Sequence, residues 1–276
     1  SRNLLGFNVI NFTLRNVDNA LVARLLGTAT LGIYSRAYAV LLVPQTHVAR
    51  VIGNVMFSSL SKIQDDPVRT KQVYLRVVSV LGLISFPLMA GMAIVADDFV
   101  RTVLGPAWVP AIPVIRIFSL VGVSESILTS VGWIYQAQGR ADWQFRWGLG
   151  GGAVALLGIL LGIAGGSATT VALGYAGASV VLVYPAFAIP GRLIDMRVRE
   201  VARTVAGPFG CTLAMATAAM ITRLSLSDAA PGSRLVACSA VGAVVYLASI
   251  RLTNLRSLQD LRGAVTQRRN KAESGR

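Results

Sequence analysis

The chain has 276 residues, of which 54% are hydrophobic and only 14% are charged, and its mean hydropathy is +0.62. Soluble domains carry about 25% charged residues, so this composition excludes an ordinary soluble fold and predicts an integral membrane protein. A net charge of +14 would indicate nucleic-acid binding in a soluble protein. Here the arginines stand between hydrophobic runs, which is typical of membrane topology, so we expect no nucleic-acid partner.

Hydrophobic runs long enough to cross a bilayer, which takes roughly 20 apolar residues, recur along the chain. They predict an all-α fold, a polytopic transmembrane helical bundle of about eight spans. We place the spans at 4–26, 31–57, 73–96, 111–135, 146–165, 168–190, 204–222 and 235–250. Pro44 predicts a kink in the second span. The Gly-Gly-Ser separator at 165–167 predicts a tight hairpin between the fifth and sixth spans.

Lysine and arginine are distributed unevenly over the predicted loops. Eight spans place both termini on one side, and the loops and tails of that side carry 18 of the 26 basic residues. The opposite loops carry three, Arg101, Arg223 and Arg234, beside a few aspartates. Because basic loops remain in the cytoplasm, this asymmetry predicts cytoplasmic termini. The same basic segments could also bind the anionic headgroups of membrane lipids.

Each of the first two spans carries a stripe of polar side chains. The first stripe, on an arc of about 100°, consists of Asn8, Asn11, Arg15, Asp18 and Asn19. The second, on an arc of about 80°, consists of His47, Arg50, Asn54, Ser58 and Ser61. A charge at the centre of a membrane helix costs about 2.5–3.5 kcal/mol, so such residues normally face water or a partner.

These stripes predict a hydrated, cationic cavity for an anionic substrate. The candidate substrate-binding residues are Arg15, Arg50, Asn8, Asn11, Asn19 and Asn54. Guanidinium groups suit phosphate because they donate forked hydrogen bonds. In the alternative interpretation Arg15 and Asp18 only neutralise each other, but this leaves Arg50 without an acidic partner on its own helix. Three further arginines near span ends are expected to reach the membrane interface: Arg24, Arg36 and Arg116.

Two membrane carboxylates, Asp18 and Glu125, are candidates for coupling transport to an ion gradient, because a desolvated carboxylate can take up a proton. For Glu125, a hydrogen bond to a neighbouring helix is an equal alternative. The single histidine and the separated Cys211 and Cys238 predict no catalytic site, no metal site and no cofactor. We expect the glycines of 148–152 to serve helix packing, since no strand or Lys-Ser/Thr accompanies them as in a phosphate loop.

Several spaced motifs carry a family resemblance over about residues 1–190. They are NVDNALVARLLG at 16–27, LGIYSRAY at 31–38, VMFSSLSKIQDD at 55–66, GPAW at 105–108 and QGRAD at 138–142. With these motifs the chain resembles the Wzx-type lipopolysaccharide and exopolysaccharide flippases of the MOP superfamily. Phe57-Ser58 departs from the Phe-Pro that this family would have there.

The resemblance implies two helical lobes that work by alternating access, and the first span looks like the seventh of the family's usual fourteen. We therefore expect a MOP/MATE-like C-terminal lobe at 1–190, two additional, peripheral transmembrane helices within 191–250, and a basic cytoplasmic tail at 251–276, as part of a longer protein. The family flips undecaprenyl-pyrophosphate-linked oligosaccharide across the bacterial inner membrane. Expected partners are thus a lipid-linked oligosaccharide, membrane lipids and polysaccharide polymerase or assembly proteins.

Other functions are compatible with the sequence. A lipid II flippase or a multidrug antiporter would share the fold, although a drug antiporter should favour acidic sites over these arginine-bearing stripes. A non-transporting membrane scaffold of a polysaccharide assembly complex would use the internal charges only to hold helices together. We do not expect an enzyme, since no acidic cluster or base lies near a loop.

Overall fold

The computed structural model describes residues 19–40, 42, 46, 53, 63 and 66–253. Within these residues every regular element is a helix, so the predicted all-α class is confirmed. Helix α1 is described over 19–26 and helix α2 over 28–40. The others are α3 (Pro67–Phe99), α4 (Ile112–Leu128), α5 (Val131–Ala137), α6 (Ala141–Ile163), α7 (Ala168–Gly191), α8 (Val198–Ser225) and α9 (Pro231–Thr253).

Six helical segments of the described chain are long and apolar enough to cross a membrane. They are Pro67–Leu104, Pro106–Ala137, Ala141–Ile163, Ala168–Gly191, Val198–Ser225 and Pro231–Thr253. These segments correspond to the third to eighth predicted spans and make the chain a multi-pass membrane protein. The first two predicted spans are described only in part, and the kink expected at Pro44 lies outside the described residues.

Helix α3 is longer than predicted at both ends. The side chain of Asp66 accepts a hydrogen bond from the backbone N–H of Arg69 at 3.0 Å, and Pro67 follows as the first helical residue. An aspartate N-cap followed by proline can start a helix in polar sequence, before the apolar run of the span begins. At the other end a π-helical turn, Val100–Leu104, continues the segment until Gly105 ends it at φ 92°. The polar first turns therefore belong to the helix rather than to a loop.

Pro87 lies inside α3 and has no backbone N–H, so the carbonyl of Leu83 loses its usual helical donor. The hydroxyl of Tyr246 in α9 donates a hydrogen bond to this carbonyl oxygen. Tyr246 is buried among Leu83, Cys211 and Met215. The proline thus creates an acceptor inside the bilayer, and α9 supplies the donor for it.

Helix α3 stands between two groups of helices. On one side it packs against α4, which in turn contacts α7, and α7 pairs with α6. On the other side it packs against the hairpin of α8 and α9. Helix α7 also contacts α8 directly, where Phe187 and Val201 belong to one hydrophobic cluster, so α3 separates most of the α8–α9 hairpin from any cavity among α4 to α7.

Contacts between helix ends define the two ends of the bundle. At one end, here called the basic end, Lys71 forms an ion pair with Glu200 at 3.3 Å and donates to the carbonyl of Asp195 at 3.0 Å. The hydroxyls of Tyr74 and Ser130 lie 2.9 Å apart and bring the α4–α5 junction to the same end. The α5–α6 turn, which contains Arg140, and the α7–α8 loop, which contains Arg192 and Arg197, lie at this same end.

The opposite end is held by five charged residues, which we call the Asp98 cluster: Asp97, Asp98, Arg101, Arg223 and Arg234. Asp98 is fully buried and lies 3.2 Å from the guanidinium of Arg223 and 2.6 Å from that of Arg234. Asp97 lies 3.6 Å and 3.9 Å from the same two groups. Arg223 and Arg234 were assigned to loops from the sequence; they lie instead within α8 and α9 and attach that hairpin to α3.

The tight hairpin predicted between the fifth and sixth spans is present as α6 and α7. Gly166 turns the chain at φ 72°, and Ser167 and Thr170 cap α7 reciprocally. A Cβ added at Gly158 would collide with the carbonyl oxygen of Gly174, and one added at Gly174 would collide with that of Gly158. The two helix backbones are therefore in direct contact in their halves nearest the turn.

Candidate substrate cavity

A cavity of about 490 Å³ lies among α2, α4, α5, α6 and α7. It extends from the middle of the bundle toward the basic end. Its aromatic lining consists of Tyr34, Tyr38, Trp133, Tyr135, Trp147 and Tyr175. Its polar lining consists of Glu125, Thr129, Gln136 and Gln144. Such a mixture of aromatic faces and a few polar groups is typical of small-molecule sites.

One buried phenylalanine holds three of the cavity tyrosines in place. Tyr34 and Tyr38 stand one helical turn apart on α2 with parallel rings, 6.4 Å between centroids. Phe118 of α4 meets their rings edge-on at 5.3 and 5.5 Å, and that of Tyr175 at 5.9 Å. Edge-to-face contacts of this kind contribute about 0.5–1.5 kcal/mol each beyond area burial. The aromatic side of the cavity is therefore preorganised in the absence of a ligand.

Two buried polar atoms of the lining have no hydrogen-bond partner in the described structure: the Tyr135 hydroxyl and the Gln144 Oε1. The two side chains are 0% and 4% exposed. A buried polar group without a partner costs about 1–3 kcal/mol, and native proteins retain few of them. Both residues line a cavity wide enough for a ligand. A small shift of either side chain would bring its polar atom to that ligand, so these two are the best candidates here for binding one.

The glycines of α6 give the cavity its space. Gly148, Gly151 and Gly152 all line it. A Cβ added at Gly151 would meet only the indole of Trp147, at 3.8 Å, and one added at Gly150 would meet nothing within 4 Å. At Gly150 and Gly151 the expectation of close helix packing is therefore wrong. Close packing against α7 occurs instead at Gly158 and Gly162, further along the helix.

The predicted site residues are only partly described. Glu125 lines the cavity, on α4. Asn19 is half-buried on α1 and is not among the lining residues. The other candidates lie outside the described residues: Asn8, Asn11, Arg15, Asp18, Arg50 and Asn54.

The three arginines expected at the interface are described. Arg24 and Arg36 are exposed, and the Arg36 guanidinium stacks on the indole of Trp108, 4.9 Å from the ring centroid. A cation held over an aromatic ring near a helix end is a common interfacial arrangement. Arg116 differs, because it is half-buried and its Nε has no partner in the described part of the chain.

Sequence reasoning missed Tyr135 and Gln144, since single aromatic or amide residues in an apolar span usually belong to the core. The signal that could have found them is the local concentration of aromatic and amide residues. Residues 133–147 contain three tryptophans, a tyrosine and three glutamines around the α5–α6 turn. Within the described residues no group of histidine, cysteine or acidic side chains could hold a metal ion. Cys211 and Cys238 are free and buried.

Comparisons with known proteins find a family match for the first part of the chain. Residues 1–113 match the family described as "Polysaccharide biosynthesis protein". The resemblance inferred from the sequence motifs is thereby confirmed, since curated relatives carry names of the same kind. No solved structure gives a significant match.

Three of these relatives are informative. The teichuronic acid biosynthesis protein TuaB of Bacillus subtilis is 29% identical over 245 residues, covering 88% of this chain and 51% of that protein. The lipopolysaccharide biosynthesis protein WzxC of Escherichia coli is 33% identical over 143 residues, 52% of this chain and 29% of the relative. The succinoglycan biosynthesis transport protein ExoT of Rhizobium meliloti is 25% identical over 126 residues, 46% of this chain and 25% of the relative. The chain thus spans about half the length of TuaB and less of the others.

Proposed function

We propose that this protein flips an undecaprenyl-pyrophosphate-linked oligosaccharide across the bacterial inner membrane, for lipopolysaccharide or exopolysaccharide biosynthesis. The observation that carries the proposal is the aromatic cavity with its two unpartnered buried groups, Tyr135 and Gln144, in a chain related to polysaccharide biosynthesis proteins. The process is transport by alternating access and needs no covalent step or cofactor.

The cavity chemistry suits a sugar. A sugar ring offers hydroxyl groups that both donate and accept hydrogen bonds, and the Tyr135 hydroxyl and the Gln144 amide can do the same. Its apolar C–H faces can lie on flat aromatic rings, and six aromatic side chains surround the space. Moving a hydroxyl-rich molecule through a bilayer requires that its polar groups be satisfied by the protein on the way.

The remaining parts of the proposal concern residues around the cavity. Arg15 and Arg50 would meet the pyrophosphate, and Glu125 or Asp18 would couple transport to an ion. Residues 1–190 would form the transporting lobe, with two additional helices in 191–250 and a cytoplasmic tail at 251–276. The arginine-rich basic end supports cytoplasmic termini, because the Asp98 cluster at the other end neutralises its arginines.

A second candidate function is export of organic cations. One carboxylate, Glu125, surrounded by six aromatic rings is also a suitable site for a cation. The two functions differ in which group matters most. A cation site should depend chiefly on the charge of Glu125, whereas a sugar site should depend on the hydroxyl of Tyr135 and the amide of Gln144.

The test is restoration of surface polysaccharide in a strain that lacks this gene and carries variants at matched membrane levels. Tyr135→Phe and Gln144→Met remove unpartnered groups, so they should leave the fold as stable or more stable while lowering export about 2–10-fold each. The matched control is Tyr74→Phe, since Tyr74 is equally buried but its hydroxyl contacts Ser130 and does not line the cavity. That variant should be less stable and export normally.

Other outcomes separate the alternatives. Arg15→Ala and Arg50→Ala should abolish export if these arginines bind pyrophosphate, and normal export in both would remove them from the site. Export that survives Tyr135→Phe and Gln144→Met, but fails together with drug resistance in Glu125→Gln, would favour the cation exporter. If every cavity variant exports normally while the wild type restores polysaccharide, the non-transporting scaffold becomes the better interpretation.

A further inference from the structure

A second concave surface lies beside the substrate cavity, on the other face of the α6–α7 pair. It is a groove of about 420 Å³ at the basic end of the bundle. Its lining is apolar except for one arginine and consists of Trp143, Arg146, Trp147, Gly150, Gly151, Val154, Leu182 and Ile189. We call this surface the α6–α7 groove.

The groove exists because α6 and α7 approach closely only in one half of their length. Near the Gly166 turn the backbones touch at Gly158 and Gly174. Toward the basic end, space opens beside Gly150 and around Gly151 instead. Tight glycine contacts at one end and unfilled glycine positions at the other leave a gap between the two helices of the hairpin.

The groove and the substrate cavity are separated by a thin boundary. Trp147, Gly151 and Leu182 line both of them. A molecule with one part in the cavity and another outside the bundle would cross between α6 and α7 at these three residues. This is the geometry that a lipid-linked sugar requires, since its sugar must be inside the protein and its tail in the bilayer.

Arg146 provides the charge that a lipid phosphate needs. It is exposed and stands five residues after the start of α6, about 7.5 Å along the helix axis from the end of this candidate membrane span. In the described structure it forms no ion pair, whereas the nearby Arg140 is paired with Asp142 at 3.2 Å and stacked on Trp143. Arg146 is thus the cation of this turn that remains open to an anionic ligand.

We propose that the α6–α7 groove binds the phosphate-bearing end of the substrate's isoprenoid tail. The lipid-proximal phosphate lies on Arg146, the sugar-proximal phosphate is left to the cavity, and the first isoprene units lie along Trp143, Gly150 and Val154. This inference rests on the proposed function and adds to it a lateral passage between α6 and α7. Apolar contact alone would not select such a lipid, because the surrounding acyl chains are equally apolar. Selection comes from the phosphate and from the groove shape that Gly150 leaves open.

The experiment is photo-crosslinking in the full chain, purified into nanodiscs of zwitterionic phosphatidylcholine. A benzophenone amino acid replaces Val154 in the groove or, as the control, Val180, which is exposed on α7 and lines neither surface. The probes are radiolabelled polyprenyl phosphate, the uncharged polyprenol and, as competitor, phosphatidylglycerol. We expect polyprenyl phosphate to label position 154 well above position 180, and polyprenol to label it about fivefold less.

Two matched pairs of variants test the residues. Arg146→Gln should lower labelling at 154 by about fivefold, whereas Arg199→Gln, an exposed arginine at the same end, should not change it. Gly150→Leu should fill the groove and block labelling. Gly177→Leu adds the same side chain on α7, where nothing lies within 4 Å and the residue lines neither the cavity nor the groove, so labelling should persist.

Three results would overturn the proposal: equal labelling by polyprenol and polyprenyl phosphate, displacement by phosphatidylglycerol at equal concentration, or labelling that is insensitive to Arg146→Gln. The second result would identify the groove as a site for bulk anionic lipid. The assay measures binding and not export, so it can fail or succeed independently of the proposed function. Normal export with no groove labelling removes only this inference, and groove labelling without export removes only the flippase.

Discussion

Asp98 should be the residue on which attachment of the α8–α9 hairpin depends most. Its carboxylate is fully buried and contacts the guanidinium groups of Arg223 and Arg234, one from each helix of the hairpin. Asp98→Asn keeps the shape of the side chain and removes its charge. Two cations that are only 21% and 14% exposed would then face each other across a neutral amide.

The loss of stability in Asp98→Asn depends on the ion pairs that remain after the substitution. Breaking a buried ion pair by removing one partner costs about 3–5 kcal/mol. Here Asp97 remains within 3.6 and 3.9 Å of the same two guanidinium groups and compensates part of the loss. We therefore expect a destabilisation of about 2–3 kcal/mol, which corresponds to about a 30- to 150-fold change in an equilibrium constant.

Two native cysteines can report separation of the α8–α9 hairpin from α3. Cys211 and Cys238 are 3% and 1% exposed, packed where α8 and α9 meet α3. A thiol of this kind reacts only when the hairpin separates, so its labelling rate under native conditions follows the opening equilibrium. In a Cys238→Ser background, which removes the thiol that interacts electrostatically with Asp98, Asp98→Asn should speed the labelling of Cys211 by about 30- to 150-fold.

Asp→Asn substitutions at two other positions are the controls that test whether the ion pairs of Asp98 hold the hairpin. Asp97→Asn should have a smaller effect, because Asp97 is partly exposed and makes longer contacts with the hairpin arginines. Asp228→Asn changes an exposed aspartate near the same end and should leave the labelling rate unchanged. If Asp98→Asn speeds labelling no more than Asp228→Asn, the buried ion pairs do not hold the hairpin and the reasoning is refuted.

Two further predictions concern packing and can be checked by denaturation in mixed micelles. Tyr246→Phe leaves the Leu83 carbonyl above Pro87 without a donor and should cost about 1–3 kcal/mol, whereas Tyr184→Phe, on an exposed tyrosine, should cost nothing measurable. Gly158→Ala places a methyl group against the Gly174 carbonyl and should destabilise by about 1–3 kcal/mol. Gly177→Ala has open space and should stabilise by up to about 1 kcal/mol, so equal effects at both glycines would contradict the close helix contact.

Much of the fold could be predicted from the sequence because each span is a long apolar run between turn signals. The sequence could not show where helices begin within polar segments, as at Asp66, since capping acts through one local hydrogen bond rather than through hydropathy. It also could not distinguish glycines that bring helices together from glycines that leave a space. Gly158 and Gly150 look alike in sequence, and only the path of the neighbouring helix separates their roles.

The candidate site was predicted less well, for a related reason. Charged residues in a membrane span stand out because burial penalises them strongly, so the sequence indicates Arg15, Arg50 and Glu125 as site residues. Of these, Glu125 is described and lines the cavity, and the two arginines remain predictions. Tyr135 and Gln144 are neutral, and their importance depends on having no partner once buried. That property exists only in three dimensions.

The arrangement of helices implies that transport and attachment of the hairpin can be altered separately. Helix α3 separates the cavity from most of the α8–α9 hairpin, and none of the described lining residues comes from α3, α8 or α9. The Asp98 cluster lies at the end opposite the α6–α7 groove. Variants at Asp98 should therefore change stability without changing substrate preference, whereas variants at Tyr135 and Arg146 should do the reverse. Under the proposed function this separation is an advantage, since the helices that would part around the substrate are not the ones that anchor the hairpin.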